Sequence, residues 1–367
     1  MVLCVHNHKL GDVKMKKGYL LLIGMLALVG CGQSGGEDNS LTNDSLNSPS
    51  SDNQNVQNKE SEGLEFDLSD DENSYILYSV GECKDKNVVI PSTYKNLPVT
   101  SIGQNAFMNH DSLSSVVIPN SITSIEKAAF YGCSSLTSLE IPNSVTSIGE
   151  LAFFRCSSLT TIEFPDSIEF VDNFIIDECD SLTYTEYGNC LYLGNKGNPY
   201  LMLVKAKDTS VTEVTISNNT KIIMYAAFHS CKSLTSIDIP DNIKFIGDWA
   251  FTECESITSM SIPNGVKTIS YCMFDECESL SSVNIPNSVT SIETDAFDHC
   301  TSLTSIVIPS SVTSLDYTPF FGCKSLTIYC EASSKPADWN DDWNYSERPV
   351  YWGGQWSYVN GIPTPNK

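Results

Sequence analysis

A period of 23 residues constrains this chain more than any other feature. The dipeptide Ile/Phe-Pro ends at Pro119, Pro142 and Pro165, and then at Pro240, Pro263, Pro286 and Pro309. Cysteine keeps the same step at Cys133, Cys156 and Cys179, then at Cys231, Cys254, Cys277, Cys300 and Cys323. So does phenylalanine, at Phe107, Phe130 and Phe153, then at Phe228, Phe251, Phe274, Phe297 and Phe320. Three residue types on one clock specify a stack of equivalent coils, each contacting only its neighbours.

One unit, residues 133–155, reads CSSLTSLEIPNSVTSIGELAFFR. Leu139 and Ile141 alternate with Ser138 and Glu140, which is the pattern of a short half-buried strand. Pro142 cannot donate to a ladder, so the chain turns there. Val145 and Ile148 point inward from a second extended segment. Ala152 and Phe153 close the coil through a compact turn or a helical step. A single coil cannot bury its own apolar edge, but coils stacked at the strand spacing of about 4.8 Å share one core.

The unit resembles the BspA-like leucine-rich repeat of bacterial surface proteins, and the likeness spans about residues 63–352. The resemblance implies an α/β-type repeat solenoid, mainly β, wound as a right-handed superhelix, with adhesive or recognition roles and no shared catalytic residue. There are departures. His110 takes the cysteine slot in the first good copy, and Ile176 takes the phenylalanine slot. From Pro165 to the equivalent Ser217 the step is 52 residues, 29 more than one unit. Within the resulting insertion, residues 183–216, two apolar strands flank Gly194 to Pro199, which predicts a β-hairpin projecting from the middle of the solenoid. The solenoid itself is expected over residues 98–330, between an N-terminal cap at 63–97 and a Trp-rich C-terminal cap and tail at 331–367. Trp339, Trp343, Trp352 and Trp356 are expected to cover the last coil. The final residues are expected to fray.

The N-terminus reads as an address. Lys16 and Lys17 precede the apolar run of residues 18–30, a basic n-region followed by a short h-region. The run ends in Leu28-Val29-Gly30-Cys31, which resembles the lipobox of bacterial lipoproteins. The resemblance implies diacylglyceryl transfer to the Cys31 thiol, cleavage before it and a lipid anchor in the cell envelope. Residues 1–30 are thus an extension and signal peptide, with Met15 the better start and residues 1–14 ahead of it. Residues 31–62 are rich in Ser, Asn, Asp, Gly and Gln, cannot bury enough apolar surface to order themselves, and are read as a tether.

Composition narrows the partners. With 45 acidic against 21 basic residues and a net charge of -24, the chain repels nucleic acid and anionic lipid faces. The expected membrane link is the lipid anchor alone. Fourteen cysteines form no CxxC pair and no zinc-type spacing. A cysteine at the same inward slot of successive coils behaves as a small hydrophobe, so packing is favoured over strained bridges. The histidines form no HExxH, and no GxSxG exists. No catalytic residue, metal or cofactor is expected.

Binding is sought where outward slots leave the consensus. The outward strand column turns acidic at Glu140, Glu163 and Asp238. The outward Thr-Ser pair of the second segment becomes Glu169-Phe170, Lys221-Ile222, Lys244-Phe245 and Lys267-Thr268 in the central coils. Stacking then predicts a stripe of Lys221, Lys244 and Lys267 beside Phe170, Ile222 and Phe245, overlooked by the hairpin near Asn195. The expected function is binding or adhesion to an extracellular protein or glycan. A surface-anchored glycan-processing enzyme and a structural envelope component are the alternatives.

Overall fold

The structure is a computed structural model that describes residues 59–366. The signal, Cys31 and most of the tether lie outside the described residues. Two parallel ladders run along the molecule. The strand before each proline forms one, as in Ser138–Glu140 and Thr161–Glu163, where Leu139 faces Ile162. The segment after the proline forms the other, through Leu97–Ile102, Ser124–Ile125, Ser147–Ile148 and Phe170–Val171. Register is one repeat per rung: Ile125 pairs with Ile148, and Ile292 with Leu315. The described residues contain no α-helix.

The closing step is a turn because of how its amides are shared. The N–H groups of Ala128, Phe130 and Gly132 donate to the carbonyls of Glu150, Ala152 and Phe154 in the next coil. Those of Ala129, Tyr131 and Cys133 donate within their own turn. A helix would spend every N–H internally. A left-handed residue re-aims the chain in each such turn, at Ala128, Leu151, Phe174, Ala226, Trp249, Cys272, Asp295 and Thr318. Such backbone costs on the order of 1 kcal/mol per site and persists where the surroundings fix it.

The core repeats the same logic in side chains. Phe107, Phe130 and Phe153 stack face to face, and so do Phe228, Phe251, Phe274, Phe297 and Phe320, with centroids 4.9–5.7 Å apart. Burying each ring contributes roughly 1.5–3 kcal/mol. The ladder cysteines are buried free thiols. Except at Cys231, which follows the insertion, their Sγ atoms donate to a phenylalanine carbonyl 26 residues earlier, as Cys156 does to Phe130 at 3.2 Å and Cys277 to Phe251 at 3.2 Å. Ile176 breaks the ring ladder where the insertion begins, and the core divides there into two clusters.

The insertion does not project. Strands Thr185–Tyr187, Cys190–Leu193 and Met202–Ala206 join Ile222–Ile223 and Phe245–Ile246 in one sheet. Tyr192, Leu201, Met202 and Leu203 are fully buried. Cys190, Tyr192 and Leu203 pack into the C-terminal core, whereas Leu193, Leu201, Met202 and Val204 pack into the N-terminal one. The apolar content of the insertion on both faces draws it into the stack as a partition.

At the C-terminus Trp339 and Trp343 are buried against the last coil, and Trp339 Nε1 donates to the Val312 carbonyl at 3.1 Å. The tail is ordered, contrary to the fraying expected: Trp356–Val359 and Ile362–Pro365 form an antiparallel hairpin. Asn360 and Gly361 at its turn have φ of 54° and 78°, the two left-handed residues that a type I′ turn requires.

The coil-closing edge carries aromatics and acids. Phe174, Tyr225, Trp249 and Tyr271 form a half-buried run of rings, with successive centroids 4.2, 5.4 and 4.8 Å apart. Farther along, burial and the neighbouring Glu276 and Asp295 push the Asp275 carboxyl up to about 7. Burial, then Asp275 and Asp295, push Asp298 up to about 8. Unfolded, both ionise near the ordinary aspartate value of 3.8. Between those limits the folded state holds more protons than the unfolded one, so this contribution to stability falls as pH rises. Asp298→Asn is therefore expected to melt close to wild type at about pH 5 and above it at about pH 9. The same offset at both pH values in thermal melts would refute the assignment.

Candidate recognition surface

The stripe read from the sequence exists as a register. The Lys244 N–H donates to the Lys221 carbonyl at 2.7 Å, and Thr290 to that of Lys267 at 2.8 Å, so these lysines occupy one slot on the wall. Their side chains differ. Lys221 is half-buried and turned aside, with Nζ donating to the Asp166 carbonyl at 2.9 Å and 3.7 Å from its carboxylate. Lys244 and Lys267 are exposed.

The apolar neighbours also separate. Phe170 is 42% exposed, and its ring meets Phe245 edge to face at 5.1 Å. Ile222 is fully buried, which corrects its expected place on the surface. It pairs with Met202 of the insertion on one side and Phe245 on the other, and the partition sheet takes it into the N-terminal core. The exposed surface is thus Lys244 and Lys267 beside a two-ring patch. The hairpin end near Asn195 lies against the wall: Asn195 Nδ2 donates to the Phe164 carbonyl at 2.8 Å, and Asn198 Nδ2 to that of Asn219 at 2.9 Å.

In the acidic column Glu140 and Asp238 are exposed, and Glu163 forms an ion pair with Lys196 of the hairpin at 2.9 Å. Glu140 and Glu163 stand on adjacent rungs of one wall. Carboxylates side by side on one strand face do not flank a glycosidic bond from opposite sides, as glycoside hydrolysis requires.

Sequence reasoning overlooked two features. The ring run from Phe174 to Tyr271 was visible as aromatics two or three residues ahead of the Phe slot, once that slot is aligned. The other is a polar cluster: ligand atoms of Asp275, Asp298 and His299 lie within 4.8 Å of one another, a spacing that could hold a cation. His299 Nδ1 is 2.7 Å from the Asp298 carboxylate.

Several solved structures are similar. A leucine-rich cell surface protein of Faecalibacterium prausnitzii is 25% identical, with a TM-score of 0.39, covering 77% of this chain and 95% of that one. A leucine-rich repeat protein of Bacteroides ovatus is 19% identical, with a TM-score of 0.34, covering 79% and 98%. The pneumococcal vaccine antigen PcpA is 16% identical, with a TM-score of 0.38, covering 82% and 98%. No curated protein matches. The family described as BspA type leucine-rich repeat region matches in six copies over residues 77–196 and 206–327. With most of the chain so matched and each copy seated in the stack of coils, the protein belongs to the BspA-type leucine-rich-repeat family.

Proposed function

We propose that this is a lipid-anchored cell-surface protein that binds or adheres to an extracellular protein or glycan and performs no catalysis. The observation that carries the reading is the wall patch, where register sets exposed Lys244 and Lys267 beside the Phe170–Phe245 pair. A rigid stack fixes side chains of sequence-distant residues on one surface, which suits recognition. Rings supply contact area, and lysines on an otherwise acidic chain supply steering that weakens with salt. Membership of the BspA-type family and the basic, apolar and Cys31 pattern at the N-terminus support the surface placement.

Binding is tested on immobilised matrix proteins and glycans. For a partner so found, Lys244→Glu with Lys267→Glu should weaken binding by about tenfold or more at low salt. Lys221→Glu alone should matter less, because Lys221 is already engaged with Asp166. Thr123→Glu, on an outer coil far along the same column, should leave affinity unchanged. Unchanged affinity in the Lys244/Lys267 variant, with its circular dichroism intact, would refute the patch. The anchor is tested separately with labelled palmitate. Cys31→Ala should lose both label and membrane association, and a variant that partitions like wild type would contradict lipidation.

A further inference from the structure

The outward strand wall of the C-terminal coils is not flat. The terminal hairpin leans across it and leaves a groove of about 770 Å³, within the usual range of ligand sites. Its floor is built from repeated slots. Ser261 and Asn284 share one register position on paired strands, and Asn264 and Asn287 share the slot after the proline. Tyr358, Glu331 and apolar residues such as Val283 and Val307 also line it.

We propose that this groove binds a neutral glycan chain. The proposal rests on the reading of the protein as a recognition module, but not on the lysine patch: Lys244 lies in the preceding coil, and Lys267, which shares a coil with Asn264, does not line the groove. Three observations support it. First, apart from Glu331 the lining polar side chains are amides and hydroxyls, which both donate and accept, as sugar hydroxyls do. Asn264 and Asn287 are exposed, and Asn284 Nδ2 lies 3.3 Å from Ser261 Oγ, leaving its amide oxygen for a ligand.

Second, one ring is presented at the edge. Tyr358 is 59% exposed and lines the groove, so its ring face is open to a ligand there. It is held in place, not dangling. Trp356 packs against it edge to face at 5.3 Å, and Trp356 Nε1 donates to the Cys330 carbonyl of the last coil at 2.9 Å. A sugar ring offers an apolar C–H face to such a platform.

Third, charge selects among glycans. No lysine or arginine lines the groove among the described residues, and Glu331 stands at its rim with its carboxylate accepting from the Ser310 N–H at 3.1 Å. On a chain of net charge -24, an acidic polysaccharide is repelled there. The slot after the proline carries an amide on two successive rungs, Asn264 and Asn287, at the strand spacing of about 4.8 Å.

The test is electrophoresis of the purified protein through native gels containing xylan, galactomannan or mixed-linkage β-glucan as neutral polymers, or polygalacturonate as an acidic one. At least one neutral polymer should retard the wild type, and polygalacturonate should not. Tyr358→Ala, and separately Asn284→Ala with Asn287→Ala, should weaken that retardation about tenfold, the scale of losing one well-placed contact. Tyr358→Phe should keep it, and so should Lys244→Glu with Lys267→Glu. All are surface changes, and circular dichroism checks their fold. Retardation by no neutral polymer, by polygalacturonate alone, or equally in wild type and the groove variants would overturn the proposal. Loss in the Lys244/Lys267 variant alone would place glycan binding at the wall patch and likewise overturn it.

Discussion

Everything in this molecule depends on how alternate amides of each coil-closing turn are shared between coils. Ala128, Phe130 and Gly132 reach forward to the next coil, while the residues between them bond within the turn. This sharing requires a left-handed residue in each turn, and the sequence supplies ordinary side chains there rather than glycine, among them Leu151, Phe174 and Trp249. Core packing offsets that local cost. Once the turns are in register, the phenylalanine rings stack, and the thiols of ladder cysteines such as Cys254 and Cys277 donate to a phenylalanine carbonyl of the preceding coil. Cysteine suits the slot because it is small, apolar and a weak donor. A larger side chain would not fit so close to a neighbouring backbone.

Much of this was legible in the sequence, because a repeat states its own register. The period places Lys244 on Lys221 and Glu163 on Glu140, and the cysteine slot could only be inward. The cap tryptophans arise from the need to cover an open core. The features that escaped were set by contacts outside the repeat. The insertion reads as a hairpin, but its burial depends on both faces finding a core, which no periodicity records. Ile222 is drawn inward by that same sheet. Lys221 turns to Asp166, a residue 55 positions earlier that only the folded stack brings near. The Asn360-Gly361 pair was a readable turn signal between two short apolar segments, and its hairpin proves to be the wall of the groove.

The resulting surface is a grid. Strand spacing fixes one axis and the alternation of inward and outward residues fixes the other, so a change of residue type at one slot becomes a column on the wall. The two cores on either side of the partition sheet give that grid two segments. The lysine and ring patch lies where they meet, and the amide-lined groove lies at the C-terminal end under Tyr358. An acidic background makes both stand out, since it removes non-specific attraction to polyanions and leaves local chemistry to select a partner.

The architecture requires the ladder cysteines to be thiols that bridge coils by hydrogen bonding and packing rather than by covalent links. Thiol counting tests this directly. In the folded protein without reductant, Cys133, Cys156, Cys179, Cys254, Cys277, Cys300 and Cys323 should resist a bulky thiol reagent, because each is buried. In denaturant, still without reductant, all of them should react. A count near zero in denaturant would mean that the ladder is paired in disulfides, and would contradict a core built on free thiols.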